Sequence, residues 1–104
     1  MIGMINQILQ MKPKPAPNIY KQAQRFADVT NALLLRGNIN RASRCFQKAE
    51  EIFNLGTSEI KNAISNVYVY SVSSYLEINK YNIKDMFPQS LQKEYFKQIN
   101  STGI

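Results

Sequence analysis

The sequence predicts an all-α fold of four to five antiparallel helices. Apolar residues recur at helical spacing in several stretches, candidate capping residues flank them, and the connections between them are short. A chain of 104 residues with 44% hydrophobic composition suits one small folded domain. We divide it into a short helix over residues 1–11, a proline-rich linker over 12–17, a single helical domain over 18–100 and a frayed tail over 101–104.

The N-terminal stretch MIGMINQILQMK is apolar but is interrupted by Asn6, Gln7 and Gln10. It lacks a basic start and a small-residue cleavage site, so it is interpreted as a helix and not as a signal peptide. The following KPKPAP favours an extended, polyproline-like linker. A single cysteine and the absence of a run of 18 apolar residues indicate a cytoplasmic protein.

Two helices follow the linker. Asn18 can cap the first, which runs to about Arg36, and Gly37 with Asn38 ends it. The second runs from Ile39 or Asn40 to Asn54, before Gly56. The predicted buried face of the first helix is Ile19, Ala23, Phe26, Thr30, Leu33 and Leu34. That of the second is Ala42, Phe46, Ala49 and Phe53, with Cys45 and Ile52 beside it as small and medium-sized apolar residues.

A third helix begins at Thr57 or Ser58 and has two apolar stripes. One is Ile60, Ile64, Val67, Ser71 and Tyr75, and the other is Tyr68, Val72 and Leu76. Two stripes predict either a central helix or one shared with a second subunit, and the proposed apolar interface is Tyr68, Tyr70, Val72 and Tyr75. Residues 67–72 are also compatible with a strand, because they are β-branched and aromatic.

The C-terminal part contains a loop over residues 79–86 with one helical turn. Pro88 then suits the start of a last helix, whose apolar residues are Leu91, Tyr95 and Ile99, with Phe96 beside them. The sequence carries no pattern for catalysis. It has no histidine, one cysteine and no glycine-rich phosphate loop. Ser58 and Lys61 match S-x-x-K, but the companion motifs are missing. We therefore expect no enzyme, no catalytic residue, no metal site and no cofactor.

The net charge of +6 lies almost wholly in the first half of the chain, where residues 1–48 hold eight Lys or Arg against Asp28. Arg41, Arg44 and Lys48 share one face of the second helix, and Arg36 precedes the turn. We name these four residues the basic strip. Free backbone N–H groups and the helix dipole favour anions at that end. The strip predicts either anion or nucleic-acid binding or a solvated face in which Lys48 and Glu51 neutralise each other.

Residues 23–56 resemble one tetratricopeptide repeat, a helical hairpin of 34 residues. Gly37 stands at the turn between the helices, Ala42, Phe46 and Ala49 match the small, aromatic, small pattern of the second helix, and the bulky positions of the first helix are Phe26, Val29 and Leu33. Thr30 departs from the family, which has a very small residue there, and no second copy is visible. Because such arrays need about three units to form a groove, the resemblance implies a hairpin and no peptide-binding groove.

The whole chain also resembles small uncharacterised bacterial proteins in the stretches GNINRASRCFQKAEEIF, SEIKNAISNVYVYS and FPQSLQKEYFKQI. This resemblance implies a bacterial cytosolic domain and assigns no site. Our expectation is a non-catalytic protein-interaction module that binds a protein partner or a second copy of itself. The alternatives are anion or nucleic-acid binding through the basic strip, and an antitoxin or immunity-type partner. No membrane association and no small-molecule substrate are expected.

Overall fold

The computed structural model of the chain describes residues 18–102. The predicted helix over residues 1–11 and the linker over 12–17 lie outside these residues. Within them the fold is all-α, with five helices and no strand. Helix α1 is Ile19–Leu35, α2 is Ile39–Leu55, α4 is Ile83–Met86 and α5 is Gln89–Thr102. Helix α3 is continuous and consists of Ser58–Ala63, the π-helical Ile64–Val69 and Tyr70–Ile78.

Helices α1 and α2 begin at the caps that the sequence predicts. The Asn18 side chain accepts from the backbone N–H groups of Tyr20 and Lys21 at 3.0 and 3.1 Å. The Asn38 side chain accepts from the N–H of Arg41 at 3.2 Å. These side chains satisfy N–H groups that have no partner inside the helix, so both helix starts are fixed by neighbouring residues.

Two helices end in the same turn, one with a glycine and one without. Gly37, with φ of 76°, donates to the Leu34 carbonyl, and Asn38 donates to that of Leu33. At the end of α3, Lys80 has φ of 64°, and Tyr81 donates to the Leu76 carbonyl at 2.8 Å. Both ends are Schellman motifs, which require a left-handed residue. A side chain at that position costs free energy, and Lys80 carries this cost.

Gly56 ends α2 for a different reason. A Cβ atom there would lie 2.7 Å from the Ile52 carbonyl oxygen and 2.6 Å from the Cγ2 of Ile60. The backbone between α2 and α3 therefore passes too close to its neighbours for any side chain. The cap of α3 is Thr57, whose hydroxyl accepts from the Ile60 N–H at 3.3 Å.

The π-helical segment explains why α3 shows two apolar stripes. Up to Ile64 the buried face follows the first stripe, and after it the buried residues are Tyr68, Val72 and Leu76, the second stripe. A π-helical turn holds an extra residue, so the face that points to the core continues one position later. After Ile64 the second stripe therefore continues the buried face, with Val69 and Ser73 buried beside it. Helix α3 packs against α1, α2 and α5, as the prediction of a central helix expects. The strand alternative for residues 67–72 is wrong, because these residues are helical.

The core is formed mainly by α1, α2 and α3, with α4 and α5 closing one side. Its fully buried large side chains include Phe46, Tyr68, Leu76 and Leu91. The Phe46 and Phe87 rings meet edge to face at 5.5 Å, and Cys45 is half-buried beside them on α2. Alanines at Ala27, Ala42 and Ala49 are completely buried, which lets helix backbones approach closely. Of the predicted face of α2, Ala42, Phe46 and Ala49 are buried and Phe53 is partly buried. The buried face of α1 also includes Ala27, which was not predicted, whereas Ile19 is only half-buried.

Thr30 and Tyr68 form a buried polar contact in this core. The Thr30 hydroxyl donates to the Phe26 carbonyl at 2.9 Å, and the Tyr68 hydroxyl lies 2.9 Å from it. Since the threonine proton is used by Phe26, Tyr68 donates to Thr30. Burial raises the pKa of Tyr68 above its usual range. The Thr30 hydroxyl is thus satisfied inside the core by a carbonyl of its own helix and by a side chain of α3.

Helix α5 is capped by a side chain from α2. The carboxylate of Glu50 accepts from the backbone N–H groups of Ser90 and Leu91 at 3.0 and 3.2 Å, and the Ser90 hydroxyl donates to Asn54 at 3.0 Å. A carboxylate at a helix N-terminus stabilises both the free N–H groups and the helix dipole. This contact fixes α5 against α2. The backbone of α5 is helical up to Thr102.

Candidate functional site

The structure leaves the basic strip on the surface. Arg36, Arg41, Arg44 and Lys48 are all exposed. The Lys48 ammonium lies 3.7 Å from the carboxylate of Glu51. Within residues 18–102, no carboxylate lies within 4.0 Å of the three guanidinium groups. The arginines are thus accessible to an anion, and the lysine is partly neutralised as the sequence predicts.

The predicted apolar interface does not form one surface. Tyr68 and Val72 are completely buried, Tyr75 is half-buried against the core, and Tyr70 is 64% exposed. The physical reason is the π-helical segment, which turns the stripe of Tyr68 and Val72 into the core and directs Tyr70 outward. Of the four residues, Tyr70 alone is largely available to a partner.

Tyr70 lines a groove between α3 and α5, which we name the tyrosine groove. Its volume is about 600 Å³, and it is open to solvent. From α3 it is lined by serine, asparagine and glutamate side chains together with Tyr70, and from α5 by charged, aromatic and aliphatic ones. The lining residues are Ser65, Asn66, Tyr70, Ser73, Ser74, Glu77, Glu94, Tyr95, Lys97, Gln98 and Ile99.

Hydrogen bonds across the tyrosine groove connect its two walls. The Ser65 hydroxyl donates to Glu94 at 2.8 Å, and Glu94 also pairs with Lys97 at 3.1 Å. Near the other end, the Tyr95 hydroxyl donates to the carboxylate of Glu77. These contacts hold α5 against the π-helical segment and the turn that follows it. The groove is therefore built before any partner arrives.

The electrostatics of the tyrosine groove favour hydrogen-bond donation over proton transfer. Partial burial, together with the hydrogen bond and the charge of Glu77, raises the pKa of Tyr95 from 10.0 to about 12. The phenol is therefore protonated at neutral pH and serves as a donor. The serine hydroxyls of Ser73 and Ser74 both donate to the Tyr70 carbonyl, at 3.2 and 2.8 Å, which satisfies the backbone behind the exposed ring.

A second groove, which shares no lining residue with the tyrosine groove, lies between the starts of α1 and α3 and the end of α2. We name it the N-terminal groove. Its volume is about 350 Å³. Its apolar lining residues include Ile19, Ala23, Phe26, Ile52, Ile60 and Ala63. Unlike the tyrosine groove, it has few polar side chains, with Gln22 and Lys48 at its lining.

In the S-x-x-K match, the serine is not the cap of its helix and the lysine contacts an aromatic ring. Thr57 and not Ser58 caps the helix, and the Lys61 ammonium lies 5.3 Å from the centre of the Phe53 ring. In the part of the chain that the structure describes, no three Cys, Asp or Glu side chains converge as metal ligands would. None of the helices over residues 18–102 has the length and apolar character needed to cross a membrane.

Sequence reasoning missed most of the tyrosine groove. Glu77, Glu94 and Ser65 carry no motif, and they come together only because α5 packs beside the π-helical segment. One signal was present: VYVYSVSSY alternates aromatic, β-branched and serine residues in a way that a simple helical stripe does not explain. The first three residues of this stretch belong to the π-helical segment, and such segments are frequent at functional sites.

Over residues 18–102, the fold and the two grooves define a small all-α domain with preformed surface depressions. The chain belongs to the family described as Domain of unknown function (DUF7674), whose match covers residues 4–101. No curated protein and no solved structure matches it.

Proposed function

We propose that the chain is a non-catalytic protein-interaction module that binds a segment of another polypeptide in the tyrosine groove. The observation that carries this proposal is the composition of the groove. It offers an exposed aromatic ring, Tyr70, and the aliphatic Ile99 beside carboxylates and hydroxyls within one open depression of about 600 Å³. Tyrosine is enriched where proteins bind each other, because it combines apolar area with a hydrogen-bonding group.

A polypeptide suits this groove better than a small metabolite does. The groove is open to solvent, and its two walls, from α3 and α5, carry both apolar and polar side chains. A bound segment could cover Tyr70 and Ile99 with apolar side chains and donate backbone or side-chain N–H groups to Glu77.

Selection from a displayed random peptide library tests the proposal. The full-length chain is immobilised, and the peptides that it selects are measured by fluorescence anisotropy. We expect Tyr70→Ser to weaken binding at least about tenfold, which is the effect of truncating an aromatic anchor. Leu55→Ser is the matched control, because Leu55 is 86% exposed and does not line the groove. Equal binding by the wild type and Tyr70→Ser would contradict the proposal.

The partner could also be a second copy of the chain. Light scattering over a concentration series distinguishes this case. A dimer that becomes monomeric in Tyr70→Ser assigns the groove to self-association, and a monomer with peptide binding assigns it to another protein. The repulsion between two copies of net charge +6 favours the second outcome at low salt.

Anion or nucleic-acid binding through the basic strip is the second candidate. It is favoured by the exposure of Arg36, Arg41 and Arg44 and by the lack of an acidic residue in the first turn of α2. Anisotropy with labelled single-stranded and duplex nucleic acid tests it at low and high salt. Salt-sensitive binding that Arg41→Gln with Arg44→Gln abolishes would support this function, and no binding at low salt would exclude it.

The expectations about origin, location, a toxin-neutralising role and the tetratricopeptide-like hairpin are also part of this proposal. A bacterial, cytoplasmic protein that acts as an antitoxin or immunity-type partner would use a preformed groove of this kind, and a gene beside that of a toxin would support it. The tetratricopeptide-like hairpin is supported by the burial of Ala42, Phe46 and Ala49, whereas Val29 is 50% exposed. The antiparallel order of the helices is likewise part of the proposal.

A further inference from the structure

The charge of the chain is divided unevenly along its length. Residues 1–48 hold eight Lys or Arg against one acid, whereas residues 49–104 hold five Lys against six acids. The tyrosine groove is lined only by residues of this second part, and its charged lining residues are Glu77, Glu94 and Lys97. The groove therefore carries a net negative charge on a basic protein, and this charge complements a cationic ligand.

The two glutamates of the groove differ in how far their carboxylates are already paired. Glu94 accepts from the Ser65 hydroxyl through Oε1 at 2.8 Å and from the Lys97 ammonium through Oε2 at 3.1 Å, and its side chain is only 13% exposed. Glu77 is exposed and accepts from the Tyr95 hydroxyl through Oε2. Within residues 18–102, no lysine or arginine lies within 4.0 Å of the Glu77 carboxylate. Glu77 is therefore the carboxylate of the groove that a cation of a partner can reach.

Glu77 and the exposed ring of Tyr70 share one face of α3. They are seven residues apart within the α-helical part of α3, which is about two turns and a rise of about 10 Å. On the same face between them lie Ser73 and Ser74, whose hydroxyls both donate to the Tyr70 carbonyl. These side chains are short and are bonded to their own helix. No bulky residue of that face therefore separates the aromatic ring from the carboxylate.

A basic segment that also carries an apolar residue has the chemistry to cover both positions. A guanidinium group pairs with a carboxylate through two parallel N–H bonds, and an ammonium group pairs with it as a point charge. An apolar side chain removes the surface of the Tyr70 ring from water. In an extended chain, a separation of about 10 Å corresponds to three residues. An acidic or phosphorylated segment would instead bring like charge next to Glu77 and Glu94, which disfavours binding.

We propose that the tyrosine groove selects a basic peptide segment, in which an arginine or lysine pairs with Glu77 and an apolar residue three positions away covers the ring of Tyr70. This inference rests on the proposed function, because it names the partner of the same groove. Tyr95 acts here as a positioning residue, since its hydroxyl holds one oxygen of the Glu77 carboxylate and leaves the other for the cation. The pair of Glu94 and Lys97 holds the wall and takes no part in recognition.

Sequencing the peptides selected from the displayed library by the full-length chain tests the charge of the partner. We expect arginine or lysine to be enriched at one position, and we expect this enrichment to disappear in a selection with Glu77→Gln. The glutamine keeps the shape of the side chain and an oxygen that accepts from Tyr95, so the change removes mainly the charge. Glu59→Gln is the matched control, because Glu59 is also exposed on α3 and does not line the groove.

Fluorescence anisotropy on one selected peptide then locates the cation. Replacing its arginine or lysine by glutamine should weaken binding at least about fivefold to the wild type and to Glu59→Gln, and less than about twofold to Glu77→Gln. An equal loss in all three proteins would overturn the pairing with Glu77. Selected peptides that lose affinity for Tyr70→Ser but carry no cation would overturn the basic segment and leave the groove as the docking surface. Binding that Tyr70→Ser does not weaken would overturn both.

Discussion

In the α1–α2 hairpin, each helix start is capped by a residue that directly precedes it, whereas α5 is capped by Glu50, forty positions before Ser90. The hairpin also turns at a glycine, while α3 ends at Lys80 in the same left-handed conformation. Neighbouring residues therefore determine both helix starts of the hairpin, whereas the start of α5 depends on a contact distant in sequence. The groove that we assign to a partner has α5 as one wall, so it depends on that distant contact.

Changing the number of residues in the π-helical segment gives the largest expected effect on stability. Inserting one alanine after Asn66, which is exposed within Ile64–Val69, adds a residue beyond the one that the π-helical turn already holds and rotates the following buried face by about 100°. We expect a loss of more than about 3 kcal/mol in unfolding free energy, because Tyr68, Val72 and Leu76 lose their register with the core. Urea denaturation measures it. Asn66→Ala keeps the length and should change stability by less than about 1 kcal/mol.

Adjacent glutamates allow a matched test of the distant cap. Glu50→Ala removes a carboxylate that accepts two backbone N–H groups of α5, and we expect a loss of about 2 kcal/mol in unfolding free energy. Glu51→Ala removes only an exposed ion pair with Lys48, which costs less than about 0.5 kcal/mol. Equal effects in chemical denaturation would show that α5 does not depend on α2 for its start.

Substitutions at the two left-handed positions, Lys80 and Gly37, should change the unfolding free energy in opposite directions. Lys80→Gly relieves the cost of a side chain at φ of 64°, and we expect about 0.5–1 kcal/mol of added stability. Gly37→Ala should cost about 1 kcal/mol, although a Cβ there meets no atom within 4 Å. Thermal unfolding of both variants checks the pair. Destabilisation by Lys80→Gly would mean that the lysine side chain contributes more than its backbone costs.

Alkaline pH should lower the unfolding free energy through Tyr95 of α5. Its raised pKa means that folding favours the protonated phenol, so this stabilisation is complete below about pH 10 and is lost towards about pH 12. The difference in unfolding free energy between the wild type and Tyr95→Phe should accordingly be constant below pH 10 and fall above it. The contribution of buried Tyr68 is common to both proteins and cancels. A constant difference across this range would exclude the effect.

The sequence was sufficient for the elements that local chemistry determines. Asn18, Gly37, Asn38 and Gly56 mark helix boundaries through their own backbone or side-chain preferences, and the alanine and phenylalanine spacing of α2 predicts its buried face. The π-helical turn left only an indirect trace, as two apolar stripes one residue apart. On a regular helix these two stripes predict an exposed apolar surface that contains Tyr68 and Val72, and both residues are buried.

The tyrosine groove could not be predicted for a related reason. Ser65 and Glu94 are 29 positions apart, and Tyr95 and Glu77 are 18 apart. Neither pair has a spacing that predicts contact. Each becomes adjacent only after α5 is capped by Glu50 and packs beside the π-helical segment. The basic strip, by contrast, lies on one regular helix, and its exposure follows directly from the apolar stripe on the opposite face.

The most direct test of the proposed function is a map of where a selected peptide binds on the 15N-labelled full-length chain. Amide shift changes centred on Ser65, Tyr70, Ser74 and Tyr95 are the predicted result, with small changes elsewhere. Changes centred on Ala23, Ile52 and Ile60 would instead assign binding to the N-terminal groove. Changes centred on Arg41, Arg44 and Lys48 would assign it to the basic strip. Either result would contradict the assignment of the tyrosine groove as the docking surface.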